Sequence, residues 1–363
     1  MKIVVLIAGG RTGSDFFQSL LDGHPEISQF PGIFRFDDFW EKTKKENKLE
    51  NIAKILIDNY KHFFDSKKNL IERHHMLGKD KNDFFSIDEN LYKKCFINLM
   101  KNKDLNKKNL LIGLNLAYSQ ASNEDHNKKK IILLHLHRIS RMKILEDLEF
   151  EIIYTIRDPL AAYTSAINHW YKFRNEKHIS PRAYFFHMDR FFNGLKDSLN
   201  FQKKTHVIQL EKLHTENVRV MKAFCTTFDI SYNETMSKST YHGKVWWGDK
   251  LSGKDLNGVN PNFQNKIDES LFFKKDIECL ETYLKTFLLK YNYPFRSKGL
   301  KLFFMKYLPF KAELKIWRNA ITSFNIKDII SILIYWYKRV NLMNKKIHDK
   351  VNFPNSIEKK IIN

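Results

Sequence analysis

Cysteine is scarce: the 363 residues hold only Cys95, Cys225 and Cys279, far apart and without C-x-x-C spacing. That excludes a disulfide framework and a cysteine-based zinc site, and it fits a reducing compartment. Long apolar runs are missing too. No segment approaches the ~18 residues of a membrane span. Lys2 is followed by six apolar residues that run straight into a glycine-containing loop. That stretch is too short for a signal-peptide core, so a cytoplasmic protein is expected. Acidic residues are outnumbered, 41 against 62 Lys and Arg, for a net charge of +21. Such a surface attracts nucleic acid, anionic lipid or polyanionic substrates. The lysines form no dense block, none of the recognised nucleic-acid-binding patterns is present, and Lys, Asn and Ile abound as AT-rich coding would produce. Nucleic acid is therefore not an expected partner. Internal repeats are absent as well.

What the chain does have is 43% hydrophobic residues, enough for one large core with or without a smaller appendage. It opens on "VVLIAGGRTGSDFFQSLLDGHPEI". Val4 to Ala8 reads as a buried strand, Gly9 to Ser14 as a tight loop, and Phe16, Phe17, Leu20 and Leu21 as one face of a helix. A helix leaving such a loop aims its free N–H groups and positive dipole end at the turn, which suits a phosphate or sulfate. The Walker pattern fails on two counts: Ala8 stands at its first glycine and Ser14 at its lysine. The cation is instead Arg11, between glycines and beside the hydroxyls of Thr12 and Ser14.

Further along, residues 49–64 and 88–101 have helical periodicity. Leu110 to Leu114, Ile131 to His137, Glu151 to Ile156 and His206 to Leu210 read as short buried strands. Strands alternating with helices imply right-handed crossovers and a mainly parallel sheet covered on both faces. The expected fold is thus α/β, with ligands gathering at the carboxyl ends of the strands. Residues 236–265, with Gly243, Gly248, Gly253, Gly258 and Pro261, read as one long loop. From residue 299 the composition turns basic and aromatic. That divides the chain into an α/β domain, 1–298, and a helical appendage, 299–363.

The second informative stretch is "EIIYTIRDPLAAYTSAINHW". A strand ends at Ile156, Arg157 emerges from it, and Asp158 and Pro159 supply an N-cap and a first helical residue. Ser165, one turn or so into that helix, is placed to share an anion with Arg157.

Together "GRTGSDFFQSLLDGHPEI" and "IRDPLAAYTS" resemble the two sulfonucleotide-binding motifs of sulfotransferases that use 3′-phosphoadenosine 5′-phosphosulfate, of the carbohydrate and tyrosylprotein type. "HVIQLEKLHTENVRVMKAFCTTFDISY" resembles the strand and helix that follow the second motif, and "STYHGKVWWGD" the late loop that closes over the nucleotide. The resemblance covers roughly residues 1–295. It implies a three-layer P-loop-like fold and in-line transfer of a sulfuryl group, without a metal, to an acceptor hydroxyl, expected on a carbohydrate or a lipid-linked glycan. It also assigns Arg11, Thr12, Gly13 and Ser14 to the 5′-phosphosulfate, Arg157 and Ser165 to the 3′-phosphate, and Gly243, Lys244 and Trp246 to the covering loop. Arg11 would stabilise the leaving phosphate. A glutamate expected shortly after the His-Pro pair is replaced by Pro31 and Gly32. Asp38, with Asp37 beside it, is the preferred substitute base, and His135 and His137 are the alternatives. Asp15 departs from the small residue common after the loop serine, so its role is open.

Two rival classes stay open at this point: a P-loop-like nucleotide kinase and a noncatalytic sulfonucleotide-binding module. The tail "FNIKDIISILIYWYKRVNLMNKK" adds an apolar, aromatic and basic stretch, with Lys338, Arg339, Lys345 and Lys346 among its cations. It reads as a core or homodimer-packing helix, or as a peripheral contact with the inner face of a membrane.

Overall fold

The computed structural model describes residues 1–173, 179–250, 255–256, 258–296, 302–324, 326–344 and 351–358. Gly253, Lys298, Lys345 and Lys346 lie outside them. Strands β1 (Lys2–Ala8), β2 (Ile27–Gln29), β3 (Ile131–His137), β4 (Glu151–Ile156) and β5 (Thr205–Gln209) form a parallel sheet in the order β2-β3-β1-β4-β5. Beyond Lys2, β1 is buried along its whole length. That is the signature of a strand covered on both faces, and it explains the unbroken apolar runs.

The order of the strands positions the site. The connection from β1 leads away to β2 on one side, and the connection from the neighbouring β4 leads to β5 on the other. Right-handed crossovers in opposite directions put their helices on opposite faces and open a crevice between the carboxyl ends of β1 and β4.

Helices Leu49–Asn59, Lys61–Phe64 and Glu89–Met100 form where periodicity expects helix. The segment Leu110 to Leu114 does not form a strand. It belongs to the helix Lys107–Ala121, whose start is capped by Asn106 Oδ1 accepting the Asn109 N–H at 2.9 Å. That helix is buried on nearly every side, so it lacks the polar stripe that would have revealed its period. The short strand β2 had no signal of its own. Within the late loop, β6 (Thr240–Tyr241) and β7 (Lys244–Val245) make a small antiparallel hairpin.

The tail folds back onto the α/β body. Helices Lys311–Thr322 and Ile326–Asn344 pack together, and Tyr335 stacks on Phe185 of the helix Pro181–Leu199 at 5.3 Å. Beyond them Ser356 bridges Val207 of β5, and Lys212 pairs with the buried Glu358 at 2.5 Å. The helix Ile326–Asn344 is two-sided: Ile332, Arg339, Val340 and Met343 face inward, and Ile330, Leu333 and Tyr337 are exposed. No helix among the described residues is long and apolar enough to cross a membrane.

Arg339 is fully buried, and its guanidinium is held by Glu313 at 2.6 and 3.0 Å and by the carbonyls of Lys306 and Leu308. Removing one partner of a buried pair strands the other charge and costs about 3–5 kcal/mol. Glu313→Ala should therefore lower Tm and expose residues 302–344 to trypsin. A variant with wild-type Tm and protease resistance would refute this account of how the tail is held.

Candidate functional site

The loop after β1 is wound from three residues with left-handed backbone, Gly10 (φ 93°), Arg11 (φ 54°) and Gly13 (φ 81°). Runs of this kind turn successive N–H groups inward and form an anion-binding nest. Gly13 is required twice over, because a Cβ there would be strained and would also overlap the Leu210 side chain. Arg11 has no such freedom, and strained non-glycine residues concentrate at functional sites. Thr12 ties the loop down, its Oγ1 lying 3.1 Å from Thr155 Oγ1 on β4.

Arg11 then reaches across the crevice. Its Nε donates to Ser165 Oγ at 3.4 Å, and its Nη1 pairs with Asp249 Oδ2 at 2.7 Å. Arg157 leaves the end of β4 as expected, and Asp158 caps the next helix, Pro159–Phe173, by accepting the N–H groups of Leu160 and Ala161 at 2.9 and 3.0 Å. Arg157 Nε donates to Asn265 Oδ1 at 2.9 Å, and its guanidinium sits 5.7 Å from the centre of the Phe263 ring. Burial lowers the Arg157 pKa, the nearby Arg11 lowers it further, and Glu211 opposes both. Two guanidiniums and a serine hydroxyl thus converge where β1 and β4 end.

Glu211, which the sequence did not single out, braces this arrangement. It accepts the Asp158 N–H at 2.9 Å, the Asn265 amide at 2.5 Å and the Tyr293 hydroxyl at 3.0 Å. Arg190 is a second addition. It donates to the carbonyls of Ala8 and His137 at 3.1 and 3.0 Å, clamping the ends of β1 and β3. Arg190 lies within a helix and has no glycine-rich or strand-end signature, whereas Glu211 follows the end of β5 by two residues and was passed over despite that position.

Other expected residues sit elsewhere. Gly243 and Lys244 are at the β6–β7 turn, held at the carboxyl end of α1 (Ser14–Leu20) by Asp22, which accepts the His242 and Gly243 N–H groups at 3.0 and 2.8 Å. Trp246 is buried, and its indole donates to the Glu72 carbonyl at 2.6 Å. Among the described residues of this late loop, Asp249 pairs with Arg11. Asp38 lies on the helix Phe36–Thr43, half exposed, sharing Arg141 with Asp37 at 3.2 and 2.5 Å. His135 is buried and His137 half-buried at the end of β3, and desolvation pushes the pKa of His135 down to about 3 and that of His137 well below its usual value. Both are therefore neutral near pH 7. His135 Nδ1 lies 2.8 Å from Gln18 Oε1 and 3.8 Å from Asp15 Oδ1.

A cluster of carboxylates completes the site. Asp15, Glu72 and Asp249 come from three separate segments and interact with one another. Burial is the largest cause raising the pKa of Asp15 and of Glu72. Asp249 raises Asp15 further, Asp15 and Asp249 raise Glu72, and Arg11 pulls Asp15 back down.

No family model matches the chain, and no curated protein matches it. Among solved structures, it is similar to the sulfotransferase domain of the Synechococcus PCC 7002 olefin synthase at 12% identity and a TM-score of 0.38, over 72% of this chain and 84% of that one. It is also similar to a sulfotransferase domain from the curacin biosynthetic pathway at 14% identity and a TM-score of 0.40, over 82% and 99%.

The pairing of Asp249 with Arg11 has a testable consequence. Any anion that binds the loop must compete with this carboxylate for the guanidinium. Asp249→Asn should tighten binding of inorganic sulfate or a nucleotide phosphate by roughly tenfold, about 1.4 kcal/mol. Unchanged or weaker binding by calorimetry would show that the pair does not oppose the ligand.

Proposed function

We propose that this protein is a sulfotransferase, moving a sulfuryl group from 3′-phosphoadenosine 5′-phosphosulfate to an acceptor hydroxyl. The observation that carries the reading is the convergence of Arg11, Ser165 and Arg157 on the left-handed loop at the crevice between β1 and β4. A ligand with anionic groups at two separated positions suits two guanidiniums emerging from two adjacent strands. In this reading the loop from Arg11 to Ser14 receives the 5′-phosphosulfate, and Arg157 with Ser165 receives the 3′-phosphate. Gly243, Lys244 and Trp246 enter as the scaffold that brings Asp249 to the site.

The chemistry asked of these residues is electrostatic. As the bond from sulfur to the bridging oxygen breaks, charge grows on the departing phosphate, and in this reading Arg11 with the loop N–H groups stabilises it. A kinase reading is disfavoured because Ser14 stands where the phosphate-binding lysine would be. Carbohydrate hydroxyls, lipid-linked glycans included, are the first acceptors to test.

Two measurements check the reading. By calorimetry, the protein should prefer 3′-phosphoadenosine 5′-phosphate to 5′-AMP, and Arg157→Ala should abolish the preference; equal affinities in the wild type would refute the donor assignment. Arg11→Ala should lower kcat by more than it weakens donor binding, because its main partner charge develops during transfer. A loss confined to affinity would remove Arg11 from the chemistry, and a wild-type protein that binds the donor without consuming it would be a binding module.

A further inference from the structure

Transfer to a hydroxyl needs a group to take its proton, whereas every residue assigned above to the donor is a cation or a neutral hydrogen-bond donor. We propose that Glu72 is the general base, presented by the irregular segment 69–78 into the space left open by Gly32. The proposal rests on the sulfotransferase reading of this site.

Three features of the geometry point to Glu72. First, its position is fixed from both sides. Its backbone N–H donates to Asn69 Oδ1 at 3.1 Å, and its carbonyl accepts the Trp246 indole at 2.6 Å. Second, a vacancy in the opposite wall admits its carboxylate. Gly32 has φ 125°, and a Cβ built there would stand 2.9 Å from Glu72 Oε2, so a larger residue would be strained and would push the carboxylate from its present place. The Gly32 carbonyl in turn faces Gln18 of α1, which also meets His135, so the vacancy adjoins the first helix. Third, the carboxylate is held loosely and keeps a path to solvent. Among the described residues its one close side-chain partner is the Asn69 amide at 3.2 Å, with His74 Nε2 at 3.6 Å, and the side chain is 15% exposed.

The surroundings suit a base. Asp15 from α1 and Asp249 from the late loop interact with Glu72, and Asp249 is the residue paired with Arg11. Tyr241 of β6 lies against the same cluster, with its hydroxyl 3.4 Å from the Asp15 carbonyl. His74 is fully buried and neutral, its pKa pushed down by burial and by neighbouring histidines, and its Nε2 has no hydrogen-bond partner. Asp15 Oδ1 is likewise buried without one. Burial and two like charges raise the proton affinity of Glu72 far above that of a surface carboxylate, as an effective base near neutrality requires.

The step balances. Glu72 accepts the proton of the acceptor hydroxyl while the acceptor oxygen bonds to sulfur. The bond from sulfur to the bridging oxygen breaks, and its electron pair leaves on the 5′-phosphate. The products are the sulfate ester and 3′-phosphoadenosine 5′-phosphate, and the proton on Glu72 departs through its exposed edge.

The test uses the full chain, labelled donor, and water, sugars and phenols as acceptors. A wild type that neither distinguishes 3′-phosphoadenosine 5′-phosphate from 5′-AMP nor consumes donor overturns the sulfotransferase reading itself. Given wild-type turnover, Glu72→Gln should lower kcat by roughly 100-fold or more, with the Kd for 3′-phosphoadenosine 5′-phosphate changed less than about threefold. The wild-type rate should rise with pH through an apparent pKa well above 4.5, the ordinary glutamate value, and Glu72→Gln should erase that rise. Glu72→Asp should retain the rise at a reduced rate. Gly32→Ala, which fills the vacancy, should lower kcat at unchanged Kd. The proposal is overturned if Glu72→Gln keeps its kcat or its pH rise, if it loses nucleotide binding as a structural residue would, or if Asp15→Asn abolishes the rise and Glu72→Gln does not.

Discussion

Thr12 Oγ1 and Thr155 Oγ1 lie 3.1 Å apart, joining the loop after β1 to the strand beside it. That contact is possible because β1 and β4 run in register, with Ala8 opposite Thr155. From this fixed pair both guanidiniums are placed: Arg157 follows Thr155 by two residues and Arg11 follows Ala8 by three. A slip of one residue between these strands would turn each side chain to the other face of the sheet, and Arg11 would no longer meet Ser165. The buried apolar faces of β1 and β4 resist such a slip, so the core holds the site in alignment.

Charge is the second constraint. The crevice brings together Arg11, Arg157 and Arg190 with Asp15, Glu72, Asp249 and Glu211. These seven groups are not distributed at random. Glu211 and Arg190 take backbone and amide partners, so they serve as braces. Asp249 neutralises Arg11 at 2.7 Å. Among the described residues, Asp15 and Glu72 have no close cationic partner beyond the reach of Arg11 toward Asp15. Cations and proton-hungry carboxylates therefore meet in one crevice, joined through the Arg11–Asp249 pair.

The sequence announced the loop and its arginines far better than the carboxylate cluster, for a physical reason. Strand ends, left-handed loops and helix caps are local events, and local events leave local signals. Gly13, Arg157 and the Asp158–Pro159 cap were legible because each does its work within a few residues of its own position. The strands β1, β3, β4 and β5 were legible as buried runs, and the same criterion misread Leu110 to Leu114, because a helix buried all round looks like a buried strand over five residues. Glu72 had no comparable signature. It comes from a segment with little regular structure, and its partners at positions 15, 32, 246 and 249 are distant in sequence. Gly32 was visible as a departure from the expected pattern, yet only the folded chain shows which carboxylate fills the space. Asp38 was a reasonable choice by proximity in sequence, and its ion pair with Arg141 was hidden in the same way.

The late loop links the two sides of the crevice. Within residues 246–249, Trp246 donates to the carbonyl of Glu72 and Asp249 binds Arg11. Trp247 adds a third anchor on the Gly78 carbonyl at 2.6 Å, so the segment carrying Glu72 and the segment carrying Asp249 are stitched along their length. A ligand that draws Arg11 away from Asp249 removes one anchor of this loop and leaves the two indole anchors in place. Asp249 already raises the proton affinity of Glu72, and a weaker hold of Arg11 on it would strengthen that negative field. In the sulfotransferase reading, anion binding at the loop and proton affinity at Glu72 would thus be linked by charge through the Arg11–Asp249 pair.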